Sequence, residues 1–362
     1  MKNLVNIRIT NKCSNDCMFC LEQDLRNDED SGFDKIVKII KEQYRDGVDN
    51  ELIIGGGSPV LRKDLVDIVE FSRRTGYNKI RVIFNGNFEE SEISREDLKN
   101  SGITDITLLA HSNEENIHDR LCRRKSSFSE LIESVDYFSG HLDLRICVCV
   151  NSLNIEHLPS IVSFFLDKSI RAFDFLNYFP VERAYDKFDK YLSYDIRKNF
   201  KDFQKTFKLL KHANADSWWN RFPEYVFENY EFLIPRKENI RNEITGDEYK
   251  LFEKHLLSQK KLPCFGRCES CFLKVFCEQL FDSDVSIDGF DNTPICQGGS
   301  GKFDSVFSYE SRPTLETFFD IFLEKTYRLK SVRCQDCKFD KTCKGIHIEE
   351  VRKNGFTGIC PK

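Results

Sequence analysis

The sequence contains no apolar run near the ~18 residues that a membrane-spanning helix needs. Residues Met1 to Thr10 show neither a charged-then-apolar leader nor a small-residue cleavage site. These absences lead us to expect a cytoplasmic chain with no membrane partner. A basic stripe is also missing: 54 Lys and Arg are interspersed with 59 Asp and Glu, for a net charge of −5. Nucleic-acid binders carry the opposite footprint, so nucleic acid is not an expected partner. With 18 glycines and 9 prolines in 362 residues, collagen-like and disordered chains are excluded as well. Tryptophan is nearly absent, and its two copies, Trp218 and Trp219, are adjacent.

Cysteine, by contrast, is abundant. There are fifteen, an odd number, in a chain without an export signal. In a reducing compartment such thiols serve as metal ligands or catalytic groups more often than as disulfides. Twelve fall into three groups, at positions 13 to 20, 264 to 296 and 334 to 360. Thiols used simply as small core residues would be scattered.

Residues 1–184 read as strand followed by helix, repeated. Apolar runs at Leu4–Ile9, Glu51–Ile54, Lys79–Phe84, Asp105–Leu109, Leu142–Val150 and Arg171–Leu176 alternate with amphipathic stretches such as Phe33–Tyr44, Lys63–Phe71 and Leu158–Leu166. Repetition of this kind predicts an α/β fold with a parallel sheet and right-handed crossovers. Six units are too few to close an eight-fold barrel, so a partial (β/α)6 TIM-like barrel is expected, with its site at the C-terminal strand ends. Residues 185–262 turn rich in Lys, Phe, Tyr and Glu, with helical period at Ile196–Leu210 and Glu248–Leu257. They read as a helical linker that either packs on the barrel or touches substrate. Residues 263–362 carry nine cysteines and little periodic pattern. A segment so poor in apolar core needs staples, which metal centres can supply. It also contains a repeat. Cys268-x2-Cys271-x5-Cys277 precedes Cys296, and Cys334-x2-Cys337-x5-Cys343 precedes Cys360. The economical reading is two four-thiolate modules. Bound metal is either iron–sulfur or zinc, since paired C-x2-C knuckles also suit tetrahedral zinc.

The first group, Cys13-x3-Cys17-x2-Cys20, follows the first strand directly, with Phe19 before its last thiol. Here the sequence resembles the radical S-adenosylmethionine (SAM) superfamily. Three thiolates on a four-iron cluster leave one iron open, as a reactive metal site requires. The resemblance implies that this iron holds the amino and carboxylate groups of SAM. An electron from the cluster then breaks the sulfonium bond, giving a 5′-deoxyadenosyl radical that abstracts hydrogen. Later segments match in order. Gly55-Gly56-Gly57-Ser58-Pro59 resembles the family's Gly-Gly-Glu-Pro turn near the methionine amino group, with Ser58 where Glu is usual. Asn85-Gly86 resembles an Asn-Gly near the ribose. His111-Ser112 and His118-Asp119-x3-Arg123 resemble the stretch after strand four, and Arg123, with Arg124 beside it, is the candidate partner for the SAM carboxylate. The resemblance implies that Asn151, at the end of the fifth strand, meets the adenosyl group. Each of these alone suits any α/β protein. On that strand Arg145, Cys147, Cys149 and Asn151 share one face by period two. Cys147 and Cys149 are either radical-relay groups or small buried hydrophobes, and Cys122 reads as the latter.

The C-terminal modules resemble the auxiliary-cluster domain of the SPASM and twitch branches, implying two further 4Fe–4S clusters, three in all. Their ligands would be Cys268, Cys271, Cys277 and Cys296 in one and Cys334, Cys337, Cys343 and Cys360 in the other. Two departures stand out: His347 occupies a position where SPASM members have cysteine, and Cys264 has no partner in the scheme. The resemblance implies an enzyme that modifies a ribosomally made peptide by cross-linking, dehydrogenation or epimerisation. Radical chemistry on a small molecule such as a sugar or amino acid is the alternative, and a non-catalytic metal or redox scaffold the remote one. An external electron donor of flavodoxin or ferredoxin type is implied. With the chain opening on its first strand, leader-peptide recognition is expected from a separate protein or from the helical middle. No general acid or base emerges from the sequence.

Overall fold

A computed structural model describes residues 2–20, 26, 29–178, 188–235, 294, 296, 320 and 322–362. Cys264, Cys268, Cys271, Cys277 and the helical stretch expected at Glu248–Leu257 lie outside these. The chain divides into two compact units. One comprises Met1–Tyr194 with Lys205–Ser217, the other Asp195–Gln204 with Trp218–Lys362.

The first unit is built on alternation. In β1 (Lys2–Thr10), Val5, Ile7 and Ile9 are buried while Leu4, Asn6 and Arg8 are exposed, as a strand covered on one face requires. It pairs in parallel with β2 (Asp49–Gly56), Ile7 opposite Ile54. β3 (Lys79–Phe84), β4 (Asp105–Leu109), β5 (Asp143–Val150) and β6 (Ala172–Asn177) continue the parallel series, with Leu52 opposite Ile80, Val82 opposite Ile106, Leu108 opposite Ile146 and Val148 opposite Phe175. Between them run α1 (Phe33–Gln43), α2 (Leu65–Thr75), α3 (Arg95–Asn100), α4 (Glu115–Cys122), α5 (Ser127–Phe138) and α6 (Leu158–Asp167). Their apolar stripes bury Ile36 and Ile40, Ile68 and Val69, and Leu158, Ile161, Val162 and Phe165. Each such side chain contributes about 1.5–3 kcal/mol. The strands lie in sequential order in an open sheet, so the partial barrel expected from the repeat is the architecture found.

Two features differ from the sequence reading. The connection from β4 to β5 holds two helices, α4 and α5. A seventh strand, β7 (Asp216–Asn220), follows β6 in the sheet order, although the region was expected to be helical. The helical period itself is real, in α8 (Phe200–His212), which follows the short α7 (Asp189–Leu192). The concave face carries ion pairs that the strand pattern did not announce. Arg81 bridges Asp105 at 2.8 Å and Glu51 at 3.4 Å, and Arg145 bridges Asp174 at 2.8 Å. All lie toward the N-terminal strand ends, opposite the expected site.

In the second unit, β8 (Arg328–Leu329) pairs antiparallel with β9 (Ile346–His347), followed by α9 (Ile348–Asn354). Gly345 precedes β9 with φ +91, and a Cβ there would lie 2.1 Å from the Leu329 carbonyl, so only glycine fits. Among the described residues no helix is long and apolar enough to cross a membrane.

Candidate cluster and cofactor site

Three supports hold the loop that follows β1. The first is the C-terminal end of α4, where the carbonyls of Cys122 and Leu121 accept the N–H groups of Asp16 and Met18 at 3.0 and 2.9 Å. Arg123, in the left-handed region at φ 52, places its guanidinium 2.6 Å from Asp16. The second is the glycine turn after β2. Gly57 N–H donates to Thr10 O at 2.8 Å and Ser58 N–H to Lys12 O at 2.6 Å. A Cβ on Gly57 would lie 2.0 Å from Lys12 O, and one on Gly56 2.3 Å from Thr10 O. Glycine at both positions is a condition of the close approach. The third is Asn85, whose Nδ2 donates to Ser14 Oγ at 3.0 Å and lies 3.9 Å from Cys13 Sγ.

Held in this way, Cys13, Cys17 and Cys20 are half-buried thiols, none in a disulfide, at the C-terminal end of the sheet. Burial pushes the Cys13 thiol up to about 11. A hydrogen bond with Cys122, followed by burial, pushes Cys17 well above its ordinary value. Beneath the loop Met18, Leu121, Cys149, Tyr178 and Leu192 form an apolar layer joined by Phe19. Phe19 also meets His111 edge-on at 4.5 Å between centroids. Cys149 and Cys147 face the concave side and are buried, and burial is the main reason both thiols are raised.

The other residues singled out from sequence are placed as follows. Ser58 is fully buried and its Oγ has no hydrogen-bond partner. Pro59 opens the 3-10 turn after it. Ser112 Oγ accepts Glu114 N–H at 3.0 Å, starting α4. Asn151 is fully buried and committed to backbone, donating to Cys149 O at 2.8 Å and accepting Leu153 N–H at 3.0 Å. Arg124 pairs with Glu89 at 2.7 Å and Glu130 at 3.3 Å, while its Nη1 is buried without a partner.

The sequence reading missed a buried relay behind the loop. His118 Nδ1 accepts His111 N–H at 3.2 Å, and burial lowers His118 to about 4. The ring is therefore neutral with its proton on Nε2. That nitrogen lies 3.4 Å from both Cys122 Sγ and Ser127 Oγ, and Ser127 accepts Asn15 Nδ2 at 3.1 Å. His118 and Cys122 are four apart, on one helical face, so the signal was present. Among the described residues, Cys17, His111 and Cys122 form the group whose ligand atoms lie within 4.8 Å of one another. Arg62 was also missed. It ties Ile9 O, Ser31 O and Asp64 together behind the glycine turn.

A sequence profile described as the radical SAM superfamily matches residues 7–165, the half-barrel with its three-thiol loop. Those residues form a radical SAM domain. The family implies SAM and a 4Fe–4S cluster. Two features of this radical SAM domain fit those groups: three thiols gathered on one loop at the strand ends, and an orphaned Ser58 hydroxyl inside a turn too tight for any Cβ. Over 170 residues the chain is 27% identical to a protein named "Probable GTP 3′,8-cyclase" from Methanocaldococcus jannaschii, covering 45% of this chain and 55% of that one. It is 23% identical over 193 residues to a "GTP 3′,8-cyclase" of Vibrio atlanticus, covering 51% and 57%. The chain thus spans about half the length of the curated relatives it matches. Among solved structures, Streptococcus suis SuiB bound to S-adenosylmethionine aligns over 98% of this chain and 75% of that one, with 16% identity and a TM-score of 0.48.

In the second unit a cavity is lined by Cys296, Cys334, Cys337 and Cys343, with Lys330 and Asp340 at its edge. Burial pushes the Cys334 thiol up to about 11. Glu228 holds this wall in place, accepting Ser331 Oγ at 2.6 Å and Arg333 Nε at 2.7 Å, while Arg333 donates to Phe356 O at 2.9 Å and Ile359 O at 3.1 Å. Cys360, expected from the repeat as the fourth thiol of this run, is exposed and does not line the cavity. His347 caps α9 through Nδ1.

Proposed function

We propose that this radical SAM enzyme modifies a peptide, forming a cross-link, a dehydrogenated residue or an epimerised centre. The reading rests on an open three-thiol loop in the same chain as a thiol-rich segment resembling the auxiliary-cluster branches. When bound, the cluster and SAM supply reductive cleavage of the sulfonium and hydrogen abstraction by a 5′-deoxyadenosyl radical. The chain's own residues do the positioning. Cys13, Cys17 and Cys20 hold three corners and leave the fourth open. Gly56, Gly57, Ser58 and Pro59 present backbone and one unpartnered hydroxyl to the methionine end. Asn85 and Arg123 fix the loop from either side, and Arg124 offers its unpartnered Nη1 to a carboxylate. The layer of Met18, Leu121, Phe19 and Tyr178 keeps water from beneath the reacting centre. Ser112 and Asn151 shape the adenosyl side through the backbone they order. The two cysteine runs of the thiol-rich segment would hold two auxiliary clusters, which would supply electron transfer. A flavodoxin- or ferredoxin-type donor and a separate leader-binding protein complete the assignment.

Anaerobic reconstitution with iron and sulfide, then SAM and dithionite, should yield 5′-deoxyadenosine, with about twelve irons per chain for three four-iron clusters. Incubation with short peptides encoded beside the gene should then change their mass by two hydrogens, or introduce solvent deuterium for an epimerase. Cys122→Ala should keep the N-terminal iron. Its loss would instead favour a single ion on Cys17, His111 and Cys122 and sink the cluster reading.

A second reading, radical chemistry on a small molecule, is supported by the names of the sequence relatives, and GTP is its probe. Consumption of GTP with no peptide change would select it. Metal content without 5′-deoxyadenosine would leave only a non-catalytic scaffold.

A further inference from the structure

The two cysteine runs near the C-terminus are copies, and the repeat by itself pairs each run with the thiol that follows it: Cys296 with the first, Cys360 with the second. The structure arranges them differently. Cys296 shares one cavity with Cys334, Cys337 and Cys343. Cys360 sits between Ile359 and Pro361, both of which line the cavity, yet its own side chain is exposed. The backbone on either side is pinned. Ile359 O accepts Arg333 Nη1 at 3.1 Å, Lys362 O accepts Lys338 N–H at 2.8 Å, and Lys362 N–H lies 3.4 Å from Cys337 Sγ. Turning Cys360 inward would disturb these bonds, one of which already serves a sulfur of the cavity.

We propose that Cys296, from the first repeat, closes the centre built on Cys334, Cys337 and Cys343, in the place that the repeat gives to Cys360. This rests on the auxiliary-cluster reading above. Exchange of a fourth thiolate between duplicated runs is known in two-cluster ferredoxins, where it ties two halves of a chain into one unit. The donor set suits a 4Fe–4S cluster better than zinc. Tetrahedral zinc with bonds of about 2.3 Å needs sulfurs less than ~4 Å apart, and among the described residues these thiols form no group within 4.8 Å. Lys330, which lines the cavity and pairs with Asp340 at 3.0 Å, supplies a cation beside an anionic cluster.

The test counts iron in double variants of the full chain after anaerobic reconstitution. Cys296→Ala with Cys334→Ala should remove one centre, about four irons, because both thiols serve it. Cys296→Ala with Cys271→Ala should remove two, about eight. The reverse pattern overturns the exchange. Mapping by iodoacetamide gives a readout independent of losses in folding. In the reconstituted variant lacking Cys268, Cys271 and Cys277, Cys296 should be protected and Cys360 labelled. Protection of Cys360 with labelling of Cys296 refutes the proposal. A wild-type chain holding only about four irons, with Cys296, Cys334, Cys337 and Cys343 all labelled, would instead remove the auxiliary-cluster reading on which it rests.

Discussion

The thiol loop of the first unit and the thiol cavity of the second use the same donor atom but are built in opposite ways. The loop is an accessory to a finished fold. Its backbone hangs on the end of α4 and a glycine turn, above a sheet whose core residues Leu52, Ile80, Val82, Leu108 and Val148 are fully buried. The cavity belongs to a unit with a smaller core, in which Tyr327, Leu329, Ile346, Ile348, Val351 and Phe356 are buried. Its walls are a 3-10 turn and a chain terminus joined by one buried carboxylate, Glu228, and one arginine, Arg333. In the first unit a finished sheet positions the thiols, whereas in the second the thiols line a cavity walled by two short segments.

The contrast breaks most sharply at the ligands. Cys17→Ala should lower 5′-deoxyadenosine formation to background while leaving the thermal unfolding of the half-barrel nearly unchanged. Cys334→Ala should leave SAM cleavage measurable and remove modification of substrate. Equal loss of cleavage in both would mean that the two sites are not separable. Next in size is metal removal. After anaerobic chelation, hydrogen exchange should accelerate through residues 328–362 and stay slow in β2 to β6, because metal binding supplies folding energy only where the core is thin. Gly57→Ala comes third. Its Cβ must displace Lys12 backbone, and a shift of about 1 Å at the loop should cost roughly 10²-fold in SAM cleavage, read as a fall in kcat with iron content retained. The smallest effect concerns the concave face. Burial raises the Cys147 thiol in the folded chain, so its stabilising contribution is complete below the unfolded value of about 8.5 and is lost as pH rises above it. Wild type should therefore lose up to about 1.4 kcal/mol per pH unit above that point from this thiol, and Cys147→Val should flatten the decline in Tm between pH 8 and 10.

Legibility followed the same division. Strands β1 to β6 were readable because period-two burial on one face and continuous apolar runs leave few alternatives. β7 was not. Its five residues, Asp216–Asn220, sit beside a strongly helical segment, and only Trp219 of the pair is buried, against Phe222 and Phe227. A strand that short gives no period to detect. Arg123 illustrates a site residue visible as a type but not as a contact: the motif supplied an arginine, and the left-handed turn at the end of α4 directed it to Asp16.

What the sequence determined alone was chemistry and class: three thiols after the first strand, a strand–helix repeat, a thiol-rich tail. Spacing along a chain encodes these because ligand loops and periodic burial are local. Which thiols meet was decided only in three dimensions. Cys122 touches Cys17 because α4 ends against the loop, and Cys296 joins Cys334 across a gap that no repeat can measure. Proximity between distant segments depends on how the intervening chain packs, and that is a property of the fold rather than of any motif.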